Sequence, residues 1–291
     1  MVPRADRRVR CRAVQENRDF AADLTRSDLG QANIARVYDY MLGGSANFAV
    51  DRSVAEEGVR LFPQARAYAQ ANRAFLGRAV RTLVTEYGLD QFLDLGSGIP
   101  TVGNVHEIAH RYNPHARIAY VDWETIAVHH ARRMLGPTEH RVTMTQADIR
   151  DPDAVLSAPG VGGLLDFTRP IAVLALGVLE ILPDNDGAAL VAHYRDACVA
   201  GSTLAVSNET QLDATDAEID GLRATFALTT TPDVHLRDRG EVAELLPGYE
   251  LLEPGVVPAP WWRPEHDIPT AQARRANVYA AAGLLPPAGQ T

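Results

Sequence analysis

Apolar residues fall into two rhythms along this chain. In one they recur every three to four positions. Ile34, Val37, Met41 and Leu42 share one side of a helix predicted over residues 31–43, and Gly43 and Gly44 stop it. Two more helices are predicted over 51–61 and 63–87, the second opened by Pro63, whose ring pre-shapes a first turn. In the other rhythm, short apolar runs of strand length stand near 91–95, 117–121, 141–145, 171–176 and 203–207. The segments between them are long enough for right-handed helical crossovers, so these strands are expected to lie parallel. Beyond about residue 215 the alternation breaks. A helix over 239–246 is followed by apolar stretches at 249–257 and 276–284 that suit an antiparallel edge. Pro258, Pro260, Pro264 and Pro269 make the link between them an extended loop. The expected fold is α/β, with a seven-stranded, mostly parallel sheet, one antiparallel edge strand and helices on both faces. Residues 1–30 read as a disordered tail, 31–88 as a helical lid, 89–285 as the sheet domain and 286–291 as a second tail. No internal repeat is visible.

Composition narrows the function classes. The 291 residues are 46% hydrophobic and 22% charged, as in an ordinary globular protein. The balance of 28 basic to 37 acidic residues, net −9, argues against a general nucleic-acid binder. No apolar run is long enough to span a membrane. Arg4, Arg7, Arg8, Arg10 and Arg12 precede no apolar core, so they do not read as a secretory signal. Cys11 and Cys198 fall in the tail and in a helix, so no structural disulfide is expected and a reducing cytoplasm fits. Every basic residue is arginine; without lysine there is neither a Schiff-base nucleophile nor a Walker A phosphate clamp.

The chemistry concentrates in Phe92-Leu-Asp-Leu-Gly-Ser-Gly-Ile-Pro-Thr101. An apolar strand runs into Gly96-Ser97-Gly98, a turn whose missing Cβ atoms let the backbone approach a ligand. Asp122 and Asp148 close the next two strands, suggesting a nucleoside-containing cofactor across the carboxyl ends of the sheet. A dinucleotide site needs a third glycine where Thr101 stands, and Asp94 would repel its pyrophosphate. Asp94 suits the ammonium group of S-adenosylmethionine instead. On that reading Gly96, Ser97 and Gly98 contact the methionine part, Asp122 the ribose hydroxyls, Trp123 the adenine face, and Asp148 and Ile149 the adenine edge.

The chain resembles a class I S-adenosylmethionine methyltransferase of Rossmann-like fold. More narrowly, it is similar to a bacterial family common in actinomycetes and long catalogued as a domain of unknown function. The residues that carry this are Arg36-Val-Tyr-Asp-Tyr-Met-Leu-Gly-Gly-Ser-Ala-Asn-Phe-Ala-Val-Asp-Arg52, the glycine turn, Asn104-Val-His-Glu107, Ala119-Tyr-Val-Asp122 and Asp148-Ile-Arg-Asp-Pro152. The resemblance spans roughly residues 30–283. It implies S-adenosylmethionine as methyl donor and S-adenosylhomocysteine as product; the acceptor is not implied. The chain departs from the family where its usual His after strand 4 is Glu180, and where its usual Ser-His after strand 5 is Ser207-Asn208.

Methyl transfer from an activated sulfonium needs alignment, and a base only where the acceptor must lose a proton. Leu176 and Gly177 let the chain pass close to the cofactor. Glu180 is the first candidate base, against a reading as a solvated carboxylate; Asn208 and Glu209 come second, against capping and surface charge. Tyr38 is placed over the sulfonium or as a donor to the cofactor carboxylate, with the neighbouring glycines letting the lid bend, against an equal reading as part of a buried aromatic helix face with a glycine C-cap. Trp261 and Trp262 either close the pocket or anchor the proline-rich loop. His106 and His110 share a helical face without a third ligand, so no metal is expected. The reading is a small-molecule methyltransferase without nucleic-acid or membrane partners, a homodimer remaining open. A cofactor-binding protein without turnover is the alternative.

Overall fold

The computed structural model describes residues 30–99, 103–135, 140–182 and 186–287. Residues 1–29 and 288–291 of the two tails lie outside it, with Cys11 and the N-terminal arginines, as do Pro100 and Thr101.

The parallel strands form where the apolar runs predict them. They are β1 (Gln91–Leu95), β2 (Arg117–Asp122), β3 (Val142–Gln146), β4 (Ala172–Leu176) and β5 (Thr203–Glu209). Side chains alternate across the sheet, and both faces are covered, so the runs read as almost continuously apolar. Phe92, Ile118, Tyr120 and Leu174 pack on one face, and Leu93, Leu95, Val121, Val173 and Val206 on the other. Each such side chain contributes about 1.5–3 kcal/mol when fully buried. The order is β3-β2-β1-β4-β5, followed by β8 (Val278–Leu284) and β6 (Glu250–Leu251), with β7 (Val257–Pro258) also on β8.

The single reversed strand is β8, antiparallel to β5 from Thr203↔Leu284 to Glu209↔Val278. The predicted strand over 249–257 is two short pieces instead. β6 pairs opposite Leu284 and Gly283, and β7 opposite Ala280 and Tyr279. Gly255, at φ +76°, turns the chain outward between them. That interruption makes eight strands of the expected seven.

Three helices precede the sheet: α1 (Ile34–Met41), α2 (Ala49–Leu61) and α3 (Ala65–Thr85). Asn33 caps α1 by accepting from the Ala35 amide at 2.8 Å. The predicted lid divides at α3. Its later turns present Phe75, Leu76, Ala79, Val80 and Leu83 to the sheet, making it a covering layer of the core. The sheet helices among the described residues are α4 (Val105–Tyr112), α5 (Thr125–Leu135), α6 (Pro152–Ser157), α7 (Gly187–Asp196), α8 (Asp216–Phe226), α9 (Arg239–Glu244) and α10 (Thr270–Arg275). Ile219, Leu222 and Phe226 of α8 close over Phe62, joining the N-terminal helices to the second half of the chain.

Trp262 is an anchor and not a pocket wall. It is fully buried edge-on against Phe75 at 5.2 Å, and its carbonyl accepts from Arg78 Nε at 2.7 Å. Trp261 donates to the Ile268 carbonyl at 2.9 Å. No described helix is long and apolar enough to cross a membrane.

Candidate active site

A cavity of about 470 Å³ opens at the carboxyl ends of β1, β4 and β5. This is where the sheet order reverses between β1 and β4, the place where open α/β sheets leave a crevice. Its volume lies within the ~300–1,000 Å³ usual for small-molecule sites. One half is built from strand ends and the glycine turn, the other from α1, α3, α8 and the loop through Asp233.

In the first half, Gly96 and Gly98 sit at φ +67° and +61°. The amides of Gly96 and Ser97 both donate to the Val121 carbonyl, at 2.9 and 3.1 Å, pinning the turn to β2. A side chain at Gly96 would collide with Val178, so the fold itself demands glycine there, before any ligand is considered. Ser97 donates weakly to Met144 Sδ at 3.9 Å. Asp94, on the same face of β1 as Phe92, is buried under α3 and makes no hydrogen bond among the described residues. Burial lifts its carboxyl from 3.8 to about 7; Arg73 on α3 opposes this and Asp122 adds to it. Arg73 lines the cavity with its Nε unpartnered and its guanidinium 5.8 Å from the centre of the Tyr38 ring.

Asp122 is more committed than the sequence suggests. Its Oδ2 accepts from the Gly98 amide at 2.7 Å and its Oδ1 from the Glu124 amide at 2.9 Å. Burial raises its pKa and these amides oppose the rise. Trp123 beside it stands 55% exposed at the cavity rim. Asp148 also borders the cavity, but its carboxylate is held by Arg150 Nε at 2.9 and 3.0 Å, which lowers its pKa. Ile149, Leu176 and Gly177 complete this half. A Cβ on Gly177 would stand 2.9 Å from Tyr68 Oη, so glycine keeps the strand end open to α3.

Tyr38 faces the cavity, but its hydroxyl already donates to the Ala69 carbonyl at 3.1 Å and accepts from Asn72 Nδ2 at 3.2 Å. It is a wall and not a carboxylate donor. The glycines after α1 do not hinge freely either: Asp39 Oδ2 accepts from the Ala46 amide and Asn47 Nδ2, each at 2.8 Å.

Glu180 is not a solvated carboxylate. It is 2% exposed; Oε1 accepts from Tyr68 Oη at 2.5 Å and Oε2 accepts from the Glu209 amide. Burial moves its pKa from 4.5 to about 7, against those hydrogen bonds and Arg237. Glu209 is equally buried, and burial and the Glu180 charge raise its pKa as well. Asn208 does not reach the cavity. It points to the opposite face of β5, where its Nδ2 donates to the Glu209 and His235 carbonyls and its Oδ1 accepts from Arg237. The strand period of two puts Glu209, not Asn208, at the cavity.

Tyr68, Asn72, Arg73 and Leu76 were not anticipated as cavity residues. They recur at helical spacing along α3, and polar side chains within that stripe were the available signal. His106 and His110 direct ring nitrogens to Tyr120 Oη and the Ala116 carbonyl. No group of three potential metal ligands occurs among the described residues.

Comparisons with known proteins bear on the family and the fold. A sequence profile of S-adenosyl methyltransferases matches residues 21–286. A candidate methyltransferase from Thermobifida fusca is 35% identical and superposes with a TM-score of 0.82, covering 88% of this chain and 96% of its own. A DUF574 family protein from Streptomyces avermitilis is 33% identical, again with a TM-score of 0.82, covering 90% of this chain and 100% of its own. No curated protein matches the chain. With its profile match over most of its length and relatives above 30% identity, the chain belongs to the S-adenosyl methyltransferase family.

Proposed function

We propose that the protein transfers the methyl group of S-adenosylmethionine to a small-molecule acceptor. The observation that carries this is one continuous cavity joining the Gly96–Gly98 turn to the buried Glu180–Glu209 pair. The first half fits the donor. Asp94, without a hydrogen bond among the described residues, accepts from the ammonium group, and Arg73, with its unpartnered Nε, donates to the carboxylate. Gly96, Ser97 and Gly98 border the methionine part, and Asp122 meets the ribose hydroxyls with the lone pairs its two amides leave over. Trp123 covers the adenine face and Ile149 its edge; Asp148 reaches that edge only in competition with Arg150.

When bound, the sulfonium supplies an already activated methyl group. What remains for the chain is alignment and proton handling. Leu176 and Gly177 hold the strand end open beside the methyl, and Tyr38 walls the other side. Glu180, with a pKa near neutrality, takes a proton from the acceptor where one must leave. The acceptor's methylated atom gains the carbon, and the carbon–sulfur electron pair stays on sulfur.

Calorimetric titration with S-adenosylmethionine, S-adenosylhomocysteine and NAD tests the donor assignment. We expect both sulfur compounds to bind and NAD not to. Binding of NAD alone would overturn it.

A further inference from the structure

Glu209 lines the cavity at 2% exposure, yet its carboxyl accepts no hydrogen bond from any described residue. Only its main chain is engaged: the amide donates to Glu180, and the carbonyl accepts from Asn208 Nδ2 and the Arg237 amide. A buried carboxyl without a donor is costly, so the site is built for a donor the protein does not supply. Glu180 stands beside it, using Oε1 for Tyr68 and Oε2 for the Glu209 amide. Arg237 acts on Glu180 through its field, while its guanidinium donates to Asn208 Oδ1 and the Leu179 carbonyl. Glu180 and Glu209 thus present two carboxyls to one part of the cavity, and neither carries a hydrogen bond from a guanidinium among the described residues. The surrounding walls are Tyr38, Phe62, Tyr68, Ile181, Leu222 and Phe226. Aromatic faces tolerate a cation, as the Tyr38 ring does the Arg73 guanidinium 5.8 Å away, and the apolar walls favour an apolar body.

We propose that Glu209, with Glu180, receives the protonated amino group of the methyl acceptor, which is therefore an amine on an apolar, ring-sized body; where that nitrogen is the atom methylated, it first gives one proton to Glu180, and its freed lone pair takes the methyl. This rests on the methyltransferase reading of the same cavity. An anionic acceptor meets like charge here. A neutral alcohol offers a donor too, but its hydrogen bond to a carboxylate is weaker than an ammonium's.

The test uses the protein saturated with S-adenosylhomocysteine and three probes: 2-phenylethylamine, 2-phenylethanol and 3-phenylpropanoate. Calorimetry should show the amine binding about tenfold or more tighter than the alcohol, the margin of a charge-assisted hydrogen bond, and the carboxylate weakest. Glu209→Gln should erase the amine preference and leave S-adenosylhomocysteine affinity unchanged. Equal binding of amine and alcohol, or no amine binding, overturns the proposal. So does a Glu209→Gln protein that keeps the amine preference. Amine binding by a protein that takes neither sulfur compound would retain this site and sink the methyltransferase reading.

Discussion

Asp94 is pulled two ways: burial favours its protonated form, while a cationic ligand favours its charged form. With its carboxyl at about 7, Asp94 is mostly ionised at pH 8 and mostly protonated at pH 6. S-adenosylmethionine should therefore bind more weakly as pH falls across that interval. Asp94→Asn should bind about tenfold or more weakly at pH 8 and show a flatter pH profile, by calorimetry. A wild-type affinity indifferent to pH would dissociate Asp94 from the ammonium. At this scale the sequence identified chemistry better than direction. Asp94, Asp122 and Glu180 all line the cavity, because strand ends are local features. Asn208 failed by one residue, which on a strand is the difference between opposite faces.

Between elements, a buried ionic chain joins α1, α2 and the start of α5. Arg36 Nε donates to Asp51 Oδ2 at 2.9 Å, and its Nη1 donates to Glu124 Oε1 at 2.8 Å. Glu124 in turn caps α5 by accepting from the Ala127 amide, directly after Asp122 and Trp123. Asp51 also accepts from the Asn33 and Phe48 amides, at 3.0 and 2.8 Å. Asp51→Ala leaves Arg36 with Glu124 and strips two amides of their acceptor, so it should lose about 1–3 kcal/mol in urea unfolding. A loss below about 1 kcal/mol would place the pair with weak surface bridges. The helices and parallel strands were legible because hydrophobic spacing is local. The division of α3 between core and cavity, and the closure of α8 over Phe62, depend on tertiary packing that spacing does not encode. The split of the last edge strand at Gly255 was likewise masked by an unbroken apolar run.

For the molecule as a whole, Asp94, Asp122, Glu124, Glu180 and Glu209 place five raised carboxyls in one cavity, Asp94 and Glu180 at about 7. A folded pKa above the unfolded one means the fold holds its proton more tightly. The stabilisation is complete below the unfolded values near 4 and is lost as pH rises through about 7. The ligand-free protein should thus melt lower at pH 8 than at pH 5.5. An Asp94→Asn, Glu180→Gln double variant should gain stability at pH 8 and show a shallower slope. Thermal unfolding at fixed ionic strength measures both, and an unaltered slope would remove these carboxyls as the cause. The cavity's destabilising charge is what donor and acceptor would neutralise, so occupancy and stability are linked.

Ala32 and Asn33 meet Thr229 and Thr230 almost two hundred residues later. The Thr230 amide donates to the Ala32 carbonyl at 2.9 Å, and Asn33 Nδ2 donates to Thr230 Oγ1 at 3.1 Å. This seam borders the acceptor half of the cavity and shares no rung with the sheet. It can part without disturbing a single strand pairing. A substitution in this seam, such as Thr230→Ala, would therefore alter one wall of the cavity while leaving the strand ends on the other side untouched.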